Sequence, residues 1–107
     1  MSERINEKIK EYLQELSNFL LIKYVYVYGS YANEKYDPEK SDIDLAIFSK
    51  QVTSENRHEY IKKCLRAISK YKLDIQPLVF SVEDYLSSSN DFIKNEVKNK
   101  GILHLLV

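Results

Sequence analysis

Asp42 and Asp44 stand two residues apart in the stretch Ser41-Asp42-Ile43-Asp44-Leu45-Ala46-Ile47-Phe48. Alternate side chains of a strand share a face, so both carboxylates project the same way from origins roughly 6 to 7 Å apart, a spacing that lets them surround shared cations. Ile43, Leu45 and Ile47 fall on the opposite face and mark the strand as central, where acids without a counter-charge are costly. Two carboxylates in such a strand ask for a divalent cation. Upstream, Gly29-Ser30 ends a run of Val, Ile and Tyr. Glycine permits a tight turn and close backbone approach, and a helical turn after it would aim free N–H groups, with the Ser30 hydroxyl, at an anion such as phosphate. Asp74 adds one acid at the start of the next strand. Each feature alone has an ordinary reading, as a turn, a solvated strand edge or a strand start. Taken in order, they describe a phosphate cradle beside a metal platform.

The elements that must position these groups follow from periodicity. Ile5, Ile9, Tyr12, Leu13, Leu16 and Leu20 recur at three and four residues and predict an amphipathic helix over 3–20, with Ser2 as a cap. Residues 21–28 read as a buried strand, 42–48 as the acidic strand, and 73–80 as a third strand containing Asp74 and Pro77. Proline has no N–H to give a ladder, which places this third strand at an edge or a bend. Asp37-Pro38 marks the loop between the first two strands. Tyr60, Ile61, Cys64, Leu65 and Ile68 form one stripe of a helix over 54–71. Ser81 opens a short helix in capping-box style, and a further helix over 91–100 closes on Gly101 in the C′ role. Residues 102–107 are almost wholly apolar and predict a terminal strand or docking tail. The order describes an α/β (α+β) fold, a small β-sheet packed with helices.

The chain has 107 residues, 44% of them hydrophobic, and its 16 basic and 16 acidic residues cancel. That length suits one domain spanning 1–107. Charge balance argues against a grip on long nucleic acid. No window approaches the roughly 20 apolar residues that cross a bilayer, and the charged start Met1-Ser2-Glu3-Arg4 is unlike a secretory signal, so a cytoplasmic protein without membrane contact is expected. A single Cys64 offers no internal disulfide, and its place on an apolar stripe points to core packing. His58 and His104 have no metal-ligand spacing. Tyr24, Tyr26 and Tyr28 alternate along one strand face and are expected to pack against neighbouring elements. So small a chain has little surface to spare for a large acceptor site, and a partner or self-association, including a homodimer, is a natural complement.

The blocks Tyr28-Gly29-Ser30-Tyr31-Ala32, Ser41-Asp42-Ile43-Asp44-Leu45 and Leu73-Asp74-Ile75, in this order and spacing, resemble the signature of the minimal nucleotidyltransferases of the DNA polymerase beta superfamily. The closing Lys100-Gly101-Ile102-Leu103-His104 is similar to that family's usual ending. One departure is Asn33-Glu34-Lys35, where members often carry a second glycine. The resemblance implies a mixed sheet, with Gly29, Ser30, Ser41, Asp42 and Asp44 binding the nucleotide and Asp42, Asp44 and Asp74 holding magnesium and carrying catalysis. It implies two Mg2+ ions and ATP as the substrate, with AMP transferred to a hydroxyl. Stand-alone minimal members look like the antitoxins of toxin–antitoxin pairs, which modify a tyrosine of a HEPN-type helical toxin and form a hetero-oligomer with it. Two other readings remain open at this point. One is transfer to a small antibiotic-type molecule, and the other is a non-catalytic module that neutralises its partner by contact.

Overall fold

The computed structural model describes residues 3–29, 43–68, 74–87 and 89–106. The first helix, α1 (Glu3–Leu16), turns its apolar stripe inward, burying Ile9, Tyr12, Leu13 and Leu16. It ends four residues earlier than its periodicity predicts. Ser17-Asn18 turn the chain there, with the Ser17 hydroxyl donating to the Gln14 carbonyl, while Leu20 still packs in the core. Serine and asparagine compete with the helix by bonding nearby backbone, which favours such a break. Strand β1 (Ile22–Tyr28) follows, then β2 (Ile43–Ser49), helix α2 (Arg57–Ala67) and β3 (Ile75–Ser81). Helix α3 (Val82–Leu86) starts on the Ser81 cap, whose hydroxyl accepts from the Asp84 N–H at 3.0 Å. A fourth helix, α4 (Phe92–Asn99), winds with the wide hydrogen bonding of a π-helix, and β4 (Ile102–Leu106) closes the sheet.

The sheet order is β3-β2-β1-β4. β1 runs antiparallel to both β2 and β4, whereas β2 and β3 are parallel with α2 as their crossover. The sheet is therefore mixed, and Pro77 lies in an edge strand, the position its missing N–H requires. The terminal run 102–106 is a strand, paired with β1.

Strand alternation sorts the core into two layers. Val25, Val27, Ile43, Leu45, Ile47, Ile75 and Val79 face α1 and α2, where Cys64 is also buried. Tyr26, Tyr28, Ala46, Phe48 and Phe80 face the other way, against Ile93 and Val97 of α4 and the rim of Tyr85 from α3. The acid-bearing face of β2 is thus not an open polar surface. Ala46 and Phe48 are fully buried on it, and only its first position, Asp44, lies at the margin. The tyrosines pack as their alternation implies. Tyr24 stacks on Tyr85 with ring centres 4.0 Å apart, and the Tyr26 and Tyr85 hydroxyls are 2.9 Å apart.

Gly101 stands at C′ of α4, as expected, but its backbone is not left-handed. Its N–H does donate to the Val97 carbonyl at 2.9 Å, but Gly29 is the positive-φ glycine of the described residues. Gly101 is glycine for space, because a Cβ there would collide with the Val97 carbonyl and lie 3.0 Å from that of Val27. No helix among the described residues is long and apolar enough to cross a membrane.

Candidate active site

One end of the sheet gathers the end of β1 and the starts of β2, β3 and β4. Gly29 leaves β1 with φ of 75°, the left-handed region that costs a side-chain-bearing residue energy. Tyr28, just before it, pairs with Asp44, the second residue of β2. This register brings the Asp44 carboxylate onto the Cα of Gly29, so that a Cβ at residue 29 would collide with Asp44 Oδ2. Glycine is required there twice over, for conformation and for room.

Asp74 sits immediately before β3, exposed, and its carbonyl accepts from the N–H of Ile43 at 2.7 Å. That bond extends the parallel ladder by one residue and draws Asp74 alongside the Ile43-Asp44 step. Gln76, two residues on, pairs with Asp44 in register. Strand alternation therefore directs Asp74, Gln76 and Asp44 to the same face. Of the residues expected at the site, the structure brings together Gly29, Asp44 and Asp74. Ser30, Ser41 and Asp42 lie outside the described residues, as do the Asn33-Glu34-Lys35 departure and the Ser2 cap.

Two groups at this margin are not evident from motif spacing. The Tyr28 phenol is pushed up to about 12, first by burial and then by the negative charge of Asp44. Phe92, which opens α4, meets the Tyr28 ring edge to face at 5.5 Å and is 39% exposed. Sequence signals for them are indirect: Tyr28 precedes the glycine, and Phe92 begins an apolar stripe with Ile93 and Val97. Their meeting depends on register and on the docking of α4.

Among the described residues, no group of three His, Cys, Asp or Glu side chains converges on a point. Asp44 and Asp74 nevertheless suit a hard divalent cation, which takes carboxylate oxygens together with substrate phosphates. The Asp44 carboxylate fills the place a side chain at residue 29 would take, so the acid lies directly against the turn that leaves β1. The donor chemistry of Asp44 and Asp74 fits magnesium.

Residues 6–104 match the model of the nucleotidyltransferase domain family. The chain is 35% identical over 101 residues to a protein of Methanocaldococcus jannaschii whose name assigns it as a protein adenylyltransferase, covering 92% of this chain and 96% of that one. Among solved structures, a protein of Sulfolobus solfataricus named as a nucleotidyltransferase superposes with a TM-score of 0.65 at 24% identity, over 94% of this chain and 78% of that one. The crystal structure of the tri-AMPylated HEPN toxin of Shewanella oneidensis in complex with its MNT antitoxin matches with a TM-score of 0.56 at 20% identity, over 100% of this chain and 74% of that one. The chain belongs to the nucleotidyltransferase family. The mixed sheet expected of a minimal, polymerase beta-like nucleotidyltransferase is the sheet observed.

Proposed function

We propose that this nucleotidyltransferase transfers AMP from ATP to a hydroxyl, most directly a tyrosine of a HEPN-type toxin with which it forms a complex in the cytoplasm as the antitoxin. The observation that carries the reading is the close packing of Gly29 on the Asp44 carboxylate, with Asp74 bonded to the residue before Asp44. A glycine turn and an acid in contact suit a triphosphate held against a metal. The protein adenylyltransferase name of the 35% identical relative supports AMP as the transferred group. The HEPN complex sharing this fold supports the acceptor.

In this reading Asp42, Asp44 and Asp74 hold magnesium, and Gly29, Ser30 and Ser41 cradle the triphosphate. Magnesium held there would supply charge neutralisation for the phosphates and a lowered proton affinity for the acceptor hydroxyl, whose oxygen displaces pyrophosphate from the α-phosphorus. The protein's share is placement. Asp44 is fixed between two strands, Gly29 lets its carboxylate lie against the turn that would receive the nucleotide, and Asp74, on the exposed side, is set to take the acceptor's proton.

Parallel reactions with ATP labelled at the α- or the γ-phosphate, each containing magnesium and the HEPN-type partner, test the proposal. Label should pass to the partner from the α position alone and be recovered on tyrosine. Label passing from the γ position would make the chain a kinase. Tight complex formation without label would make it a contact-only antitoxin.

A further inference from the structure

At the end of the sheet opposite Asp44, a cavity of about 810 Å³ opens where the parallel strands β2 and β3 finish in register at Ser49 and Ser81. It lies five residues along β2 from Asp44, roughly 16 Å at the rise of a strand, and shares no residue with the candidate active site. The crevice outside the carboxyl ends of parallel strands is the place where α/β sheets bind ligands.

The basic lining of the cavity is already organised at Arg57. Arg57, the first residue of α2, donates from Nε to the Val79 carbonyl at 2.6 Å, and its guanidinium lies over the Phe80 ring, 4.6 Å from the centre. These two contacts hold the guanidinium and leave its terminal N–H groups for other partners. Among the described residues no carboxylate forms an ion pair with it. Lys50, Thr53 and Ser54 also line the cavity, adding a second cation and two hydroxyls to its lining. A guanidinium of this kind suits the oxygens of a phosphate. Glu83 and Asp84 of α3 line the same cavity. These carboxylates disfavour a bare anion, whereas a ligand carrying N–H or O–H donors as well as a phosphate would satisfy both the basic and the acidic lining residues.

We infer that this cavity is a second nucleotide site, taking a mononucleotide with its phosphate on Arg57 and Lys50 and its base or ribose donors on Glu83 and Asp84. The volume suits a molecule of that size, since ligand pockets run from about 300 to 1,000 Å³. It requires neither magnesium nor the Asp44 cluster, so it stands or falls apart from the transfer reaction.

Calorimetric titration of the full chain with 5′-AMP in magnesium-free buffer containing a chelator tests it. One-to-one binding with Kd below about 1 mM is expected. Affinity should be unchanged in Asp44→Asn and at least about tenfold weaker in both Arg57→Gln and Lys50→Glu, with inorganic phosphate also at least tenfold weaker than 5′-AMP. Lys50 is exposed, so its variant serves even if loss of the Arg57–Val79 bond impairs folding. No binding, binding lost in Asp44→Asn, binding retained in both variants of the basic lining, or phosphate binding as tightly as 5′-AMP would each overturn the assignment.

Discussion

Gly29 and Asp44 share a space that admits no further atom: a Cβ on residue 29 would collide with the Asp44 carboxylate, and φ there is 75°. The turn that would cradle the phosphate and the acid that would hold its metal are therefore one structural unit, made by the Tyr28–Asp44 pairing of β1 with β2. Gly29→Ala should cost about 1–2 kcal/mol from the backbone conformation alone. It should also displace the carboxylate and reduce AMP transfer by about 100-fold, the penalty that small misplacements of a reacting geometry carry. Denaturant unfolding and the transfer rate, measured on the same preparation, separate the two effects. Activity falling no more than stability explains would contradict the unit.

Magnesium and ATP together should stabilise the native state by mass action, since only the folded chain assembles the site. At a hundredfold excess over Kd, linkage gives about 2.7 kcal/mol. Thermal unfolding should show this rise in the wild type and lose most of it in Asp44→Asn. Equal shifts in both would remove Asp44 from the site.

Space alone explains Gly101, whose Cβ would run into the carbonyl of Val97 and crowd that of Val27. Both obstacles are backbone and cannot rotate away. Gly101→Ala should destabilise by about 1–3 kcal/mol, the range for forcing extra atoms into packed structure, by prying α4 from β1. Chemical denaturation measures it, and an unaltered midpoint would show that the junction yields.

Cys64 and Tyr28 contribute to an alkaline limit of the fold, together with Tyr85, whose phenol is likewise raised to about 12, first by burial. Burial raises the Cys64 thiol from 9.0 to about 12. Burial, and then the charge of Asp44, raise the Tyr28 phenol from 10.0 to about 12. In each case the native state holds its proton more tightly than the unfolded chain, so the contribution is complete below the unfolded value and is lost as pH climbs through the window up to about 12. The Tm should fall from about pH 9 upward, and less steeply in Cys64→Ala. A thiol so held should also resist thiol reagents until the chain unfolds. Identical alkaline slopes in the two proteins would show that Cys64 ionises freely.

Much of this architecture is legible in local pattern because local physics decides it. The three-and-four spacing of Ile9, Tyr12, Leu13 and Leu16 has one way to bury itself, and Pro77 excludes a central strand. Ser81 announces the helix it caps. What pattern cannot carry is pairing between distant segments. Alternation places Asp44 opposite Ile43 and Leu45, but only register sets it against Gly29, and only the docking of α3 and α4 shows that the rest of its face is buried. The three carboxylates are visible in sequence by order and spacing. Of these, Asp44 and Asp74 are brought to one end of the sheet by the strands that carry them.

The central claim is transfer of AMP, and the mass of the acceptor tests it most directly. The HEPN-type partner, incubated with this protein, ATP and magnesium, should gain the mass of one or more AMP groups in intact-protein mass spectrometry. The gain should vanish with Asp42→Asn, with Asp44→Asn and on chelation of magnesium. A partner of unchanged mass in a stable complex with the wild-type protein would contradict the account.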